Sequence, residues 1–135
     1  MKEKRPYLGV DAIFVNDKKE ILLIHRTGKN FNGYWGLVSG MVEWNEEVKD
    51  ALKREVKEEI GVEIEEIQYT GRYYDTIGRH PSKTVICLPH FCKIKSGIPS
   101  AVSECDEVRW FKGAEIRKME LAYDHKKMLE DAGLI

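Results

Sequence analysis

The chain has 135 residues, 42% of them hydrophobic, and its 22 Lys and Arg against 23 Asp and Glu leave a formal net charge of -1. That length suits one domain with a core of its own and leaves little room for a second, so residues 1–135 are expected to form a single domain. Near-neutrality excludes wholesale attraction to nucleic acid or to an anionic membrane, and a small anionic ligand would need locally placed partners.

The start, Met1-Lys2-Glu3-Lys4-Arg5-Pro6, is charged and no long apolar stretch follows it. Neither a signal peptide nor a membrane span is expected, and the cytoplasm is the expected location. Residues 7–15 and 20–25 are rich in β-branched and apolar side chains and flank Asn16-Asp17-Lys18-Lys19, which predicts a strand, a turn and a strand paired as a hairpin. Residues 28–33 are polar and carry Gly28 and Gly33, a loop, and 35–38 read as one short strand. Further strands are predicted within 62–74, 83–95 and 108–111, with a loop at 75–82 marked by Gly78 and Pro81. Leu121, Met128, Leu129 and Ala132 among charges predict a terminal amphipathic helix over 121–132. Cys87, Cys92 and Cys105 are odd in number and lack C-x-x-C spacing, so reduced, partly buried thiols are expected.

Residues 40–62 carry the most information. A helix is predicted over 45–60, with Asn45 as N-cap, Glu46 and Glu47 where the helix dipole favours negative charge, and Gly61 ending it in a left-handed conformation. At about 100° per residue, Val48, Ala51, Leu52 and Val56 form the apolar stripe, while Lys49, Lys53 and Lys57 gather on the opposite face. Glu55 and Glu59 continue the apolar stripe, and Glu58 flanks them. A Glu- and Lys-rich helix is ordinarily a solvated surface, but there the charges alternate around the wheel, and here they do not. Carboxylates drawn inward repel one another and are costly to desolvate, so they require a strong positive partner that lysines facing away do not supply. Mg2+ or Mn2+, hard ions that bind carboxylates and phosphates together, fit that requirement. Arg54, four residues before Glu58, is placed to pair with it and to orient a neighbouring ligand.

The same stretch reads G-x5-E-x7-R-E-U-x-E-E-x-G-U with U apolar, matched by Gly40, Glu46, Arg54, Glu55, Val56, Glu58, Glu59, Gly61 and Val62. It resembles the signature of the Nudix hydrolases. The resemblance implies an α/β/α sandwich with a mixed β-sheet between helices, and divalent-metal-dependent hydrolysis of a nucleoside diphosphate linked to another group. It implies Glu55, Glu58 and Glu59 as ligands of the divalent ions together with the backbone carbonyl of Gly40, a carboxylate that activates water, and no protein nucleophile. A further acidic residue on a loop before a late strand is common in the family, and Glu104, then Glu107, are the candidates. The approach to the box departs from the usual W-x-L-P-G-G by reading Trp35-Gly36-Leu37-Val38-Ser39-Gly40.

Glu120-Leu121-Ala122-Tyr123-Asp124-His125 resembles the L-A-F-D-H stretch of small ADP-ribose pyrophosphatases, and Tyr74-Asp75 with Arg79-His80-Pro81 is similar to their D-x-x-R-D-P-R loop. ADP-ribose or a related nucleoside diphosphate sugar is therefore the expected substrate, with Arg79, Asp75 and Tyr74 expected to bind it and Tyr34 expected to stack on its base. Each residue also has an ordinary reading, with Tyr123 as core packing, Asp124 as a helix cap, His125 as a surface residue and Arg79 as a solvated loop charge. The alternatives are a nucleoside triphosphate pyrophosphohydrolase acting on normal or oxidised substrates and a dinucleoside polyphosphate hydrolase. A nucleotide-binding regulatory module without turnover ranks below them because every box glutamate is present. Family members often dimerise, and the apolar first strand offers an interface.

Overall fold

The computed structural model describes residues 4–135; Met1 to Glu3, part of the charged start, lie outside the described residues. The strands are β1 (Tyr7–Phe14), β2 (Ile21–Arg26), β3 (Trp35–Gly36), β4 (Val38–Met41), β5 (Glu63–Tyr69), β6 (Val85–Ser96) and β7 (Cys105–Phe111), and the helices are α1 (Val48–Ile60), α2 (Gly113–Ile116) and α3 (His125–Asp131). They form a four-stranded sheet in the order β4-β1-β6-β5 and a three-stranded sheet in the order β3-β2-β7. The first is mixed, because β1 runs parallel to β6 and antiparallel to β4.

Both faces of the central strands are apolar, so the sheets need cover on both sides. Val10, Ala12 and Phe14 of β1, with Leu22 and Ile24 of β2, pack under Ala51, Leu52, Val56 and Ile60 of α1. The alternate residues Ile13, Ile21 and Leu23 pack on the other side with Phe111, Ile116, Met128 and Leu129. This is the expected α/β/α layering, generated by the two-residue period of the strands.

The predicted hairpin is not formed. The turn is there, with the Asn16 amide N–H donating to Glu20 O at 3.0 Å, but the pairing stops at an isolated Val15–Ile21 bridge. The reason is edge occupancy: β1 is flanked by β4 and β6, and β2 by β3 and β7, so neither strand has an edge to offer the other. The stretch read as one strand over 35–38 is likewise divided between the sheets. Leu37 N–H donates to Nδ1 of His125 at 3.0 Å instead of to a neighbouring strand.

Helix α1 begins later than predicted. Its N-cap is Glu47, and Asn45 stands earlier at φ 65°, in the left-handed region that asparagine tolerates, so it makes the preceding turn. Glu46 contributes there too, accepting from the Glu43 amide at 3.0 Å. Gly61 ends the helix as expected, at φ 73° with its N–H on Lys57 O at 3.0 Å. The terminal helix is shorter than predicted because Leu121 joins an isolated bridge with Trp35 before α3 begins. Among the described residues no helix is long and apolar enough to cross a membrane.

Candidate active site

The predicted phase of α1 is what the fold uses. Lys49, Lys53 and Lys57 are exposed, Glu58 is exposed beside them, and Glu59 is only 2% exposed. Glu55 lies between these extremes, with its side chain folded over Gly40. A β-carbon on Gly40 would stand 2.0 Å from Cδ of Glu55 and 2.4 Å from Oε2, so only glycine lets this carboxylate lie against β4.

Arg54 organises the rim. Its guanidinium donates to Glu46 Oε2 at 2.9 Å and Oε1 at 3.0 Å, to Glu55 Oε1 at 2.8 Å, and to the carbonyl of Met41 at 3.0 Å. It also reaches Glu58 Oε2 at 3.5 Å. The planar, multi-donor head joins the helix to the end of β4, which a lysine could not do. Arg54 and the Glu43 amide hold the Glu46 carboxyl down to about 2.

Glu59 has only the weaker pull of Arg26 against its burial. Burial, then Glu55 and Glu104, push its carboxyl up to about 10, and Oε2 has no hydrogen-bond partner in the protein. Burial raises Glu55 as well, against the pull of Arg54. An orphaned, buried carboxylate oxygen costs about 1–3 kcal/mol or more, so its presence calls for a partner from outside the chain. Among the described residues no three His, Cys, Asp or Glu side chains stand together as a ready metal shell, and Glu55 and Glu58 both turn to Arg54. The donor set is nevertheless all oxygen, with the orphaned Glu59 oxygen and the Glu55 carboxylate beside Gly40. That set fits a hard divalent cation such as Mg2+ or Mn2+.

A cavity of about 150 Å3 opens beside this cluster. Arg26 and Glu104 belong to both places, since both line the cavity and both act on the charge of Glu59. Glu104 sits at φ 60° and Tyr123, also in the lining, at φ 48°. Non-glycine residues rarely adopt such angles, and they concentrate at functional sites. Arg26 stacks over the Tyr123 ring at 5.1 Å, and Asn30 meets His80 Nε2 at 3.0 Å, which joins loops 28–33 and 75–82 at the cavity.

The NUDIX domain model matches residues 5–132. The chain belongs to the NUDIX domain family. It is 34% identical over 126 residues, 93% of this chain and 72% of the relative, to an ADP-ribose pyrophosphatase of Methanocaldococcus jannaschii. Its fold is similar to that of a MutT NUDIX hydrolase from Burkholderia pseudomallei, with TM-score 0.84, 29% identity, and 94% and 98% of the two chains covered. It is also similar to the NUDIX domain of Shewanella oneidensis NrtR complexed with ADP ribose, with TM-score 0.83, 23% identity, and 97% and 88% covered; at that identity the likeness concerns the fold. The chain is thus a Nudix hydrolase, of the class of pyrophosphohydrolases that act on phosphoric anhydride bonds.

The Nudix site gathers some of the residues singled out in the sequence and separates others. Glu104 lines the cavity, whereas Glu107 lies on β7, paired with Arg109. Arg79 donates to the Tyr123 carbonyl at 2.7 Å and pairs with Asp124 at 3.3 Å, bordering an outer depression that Tyr34 also lines. Tyr34 is half-exposed and meets Phe31 edge-on at 5.3 Å. Tyr74 is turned into the core with its hydroxyl donating to Asp131 at 2.7 Å, and it and Asp75 line a different depression. His125, whose ordinary reading was a surface residue, is 1% exposed. Sequence reasoning missed Asp11, Arg26 and Thr76. The signal for Asp11 was present: a lone carboxylate inside the apolar run Gly9-Val10-Asp11-Ala12-Ile13-Phe14.

Proposed function

We propose that this Nudix hydrolase cleaves the pyrophosphate bond of a nucleoside diphosphate derivative, ADP-ribose or a related nucleoside diphosphate sugar, in the presence of Mg2+ or Mn2+. The observation that carries the reading is the buried Glu59 carboxyl, whose Oε2 has no partner in the protein, together with Glu55 folded over Gly40, which lines the cavity with Glu104. Glu55, Glu58, Glu59 and the Gly40 carbonyl are the proposed ligands. Bound there, a divalent ion neutralises the pyrophosphate, lowers the pKa of water and stabilises charge at phosphorus and the leaving oxygen.

The remaining work belongs to the chain's own side chains. Water adds to phosphorus, the anhydride P–O bond breaks, and the water proton goes to a carboxylate. Glu104 is the candidate acceptor, since it lines the cavity beside Glu59. Arg54 keeps Glu55 and Glu58 oriented and holds the end of β4 in place. Arg79 and Tyr34, on the outer side of Tyr123, are proposed to meet the part of the substrate that extends beyond the cavity.

A panel of ADP-ribose, GDP-mannose, diadenosine polyphosphates and normal and oxidised nucleoside triphosphates, each with Mg2+ or Mn2+, tests the reading. AMP and ribose 5-phosphate are the expected products from ADP-ribose. Pyrophosphate release from triphosphates with ADP-ribose untouched would overturn it.

A further inference from the structure

The cavity wall carries a buried carboxylate that the proposed cleavage does not use. Asp11 is 1% exposed and lines the cavity wall, on the strand that pairs Val10 with Gly40 and Asp11 with Ser39. Val10 and Ala12 face α1, so Asp11, between them, faces the α3 side. His125 meets it there.

The histidine is fixed at both nitrogens. Leu37 N–H donates to Nδ1 at 3.0 Å, so Nδ1 must be the acceptor, and Nε2–H is left to donate to Asp11 Oδ1 at 3.1 Å. Gly36 makes this possible, since a β-carbon there would stand 2.8 Å from Nδ1 of His125. One oxygen of Asp11 is thereby held in place by a rigid ring, and the other, Oδ2, has no partner in the protein. The polar groups around it do not satisfy it: Thr76, on the same cavity wall, donates from Oγ1 to Val85 O at 2.5 Å, His90, which feels the Asp11 charge, has Nδ1 2.7 Å from Leu88 O, and the Cys87 thiol, also on that wall, makes no hydrogen bond to Oδ2.

We propose that Asp11 is a specificity-determining residue, whose Oδ2 accepts a hydrogen bond from a neutral N–H or O–H group of the part of the substrate seated in the cavity. This rests on the reading that the site takes a nucleoside diphosphate derivative. A carboxylate is acceptor-only, so it favours a ligand that presents a donor and repels one that presents a lone pair at that point. A site built to hydrogen-bond a donor discriminates strongly against the analogue that lacks it, because its own buried group is then left unpaired. The donor is supplied either by the exocyclic amino group of the base or by a sugar hydroxyl.

Asp11→Asn is the informative variant. The amide oxygen can still accept from His125, while its NH2 replaces Oδ2 and turns an acceptor into a donor. Dissociation constants are measured by calorimetry, without added metal, for ADP-ribose, its hypoxanthine analogue, its 2′,3′-dideoxyadenosine analogue, and ADP, which lacks the terminal sugar. D11N is expected to weaken ADP-ribose by about 10-fold or more, with kcat in Mg2+ changed by less than about 2-fold and the rise confined to KM. The analogue that lacks the relevant donor is expected to bind wild-type protein weakly and to be indifferent to D11N. That analogue is the hypoxanthine one for a base amino group, the dideoxy one for an adenosine hydroxyl, and ADP for the distal sugar.

An unchanged ADP-ribose affinity in D11N, an equal loss for all four ligands, or no binding of any of them to wild-type protein would overturn the assignment. If D11N does not melt cooperatively, Asp11→Ser repeats the comparison. Wild-type protein that binds all three analogues as tightly as ADP-ribose overturns it unaided. Turnover separates this from the proposed reaction. Asp11-dependent binding without metal-dependent cleavage sinks the hydrolysis and leaves Asp11 standing, and cleavage indifferent to D11N does the reverse.

Discussion

Gly40 and Glu55 illustrate how far a single atom decides this site. A methyl group at Gly40 would overlap the Glu55 carboxyl, which cannot retreat freely because Arg54 holds it at 2.8 Å. Gly40→Ala is therefore expected to lower kcat/KM by at least about 10-fold, the scale that follows if Glu55 is a ligand of the proposed ion and is displaced, while the protein remains folded by circular dichroism. Glu58→Gln and Glu59→Gln are expected to remove most turnover with the fold intact. Normal activity in both would overturn their assignment as ligands. The two differ in a way that steady-state rates alone do not reveal: Glu58 is exposed, whereas Glu59 is buried with an orphaned oxygen, so Glu59→Gln replaces a destabilising acidic group and is expected to raise the melting temperature of the metal-free protein.

At the scale of the element, α1 serves the fold and the site with different faces. Ala51, Leu52, Val56 and Ile60 are fully buried against β1 and β2, and Glu55 and Glu59 continue the same face, Glu55 lying against Gly40 of the cavity wall. Leu52→Ala is expected to cost about 2–5 kcal/mol in urea unfolding, as for other buried leucines, without moving KM in the molecules that remain folded. Arg54 couples the helix to its surroundings through Glu46 and the Met41 carbonyl. Arg54→Lys keeps the charge and loses the fork, so a loss of about 1–3 kcal/mol is expected together with a lower affinity for Mg2+, read by calorimetry. A lysine variant with wild-type stability and metal affinity would show that charge alone suffices there.

For the whole molecule, buried Glu59 makes stability depend on pH with a sign that can be stated in advance. Its folded pKa is raised from 4.5 to about 10, so in the metal-free protein the folded state holds a proton that the unfolded chain has released. Stability contributed by that proton is present at low pH and is lost as pH rises towards 10. His80 and His90 are shifted down by burial and act oppositely, but only below 6.5. Between pH 7 and 8 in EDTA, below the range where the thiols of Cys87, Cys92 and Cys105, also raised by burial, add a loss of the same sign, the melting temperature is accordingly expected to fall, the Glu59 proton contributing a stability loss of up to about 1.4 kcal/mol per pH unit. Mg2+ binding favours the ionised carboxylate, so the same ramp with Mg2+ is expected to be flatter and binding is expected to release protons. Equal slopes with and without metal would separate Glu59 from the ion.

The sequence by itself determined the periodic features and the helix that carries the carboxylates. The phase of α1, its end at Gly61 and the inward direction of Glu55 and Glu59 follow from local geometry, since side chains three and four apart share a face whatever surrounds the helix. The family signature lies on the same residues for the same reason. Tertiary structure decided what local rules do not reach. The apparent hairpin became two strands in different sheets because each already had neighbours on both edges. Asn45 yielded the N-cap to Glu47 because Arg54, eight residues downstream of Glu46, fixed the turn before the helix. Asp11 and His125, 114 residues apart, became a buried pair only because β1 and the start of α3 meet on one face of the sheet. Long-range pairing of polar groups has no period along the chain, and it is this pairing that shapes the part of the cavity where the substrate is chosen.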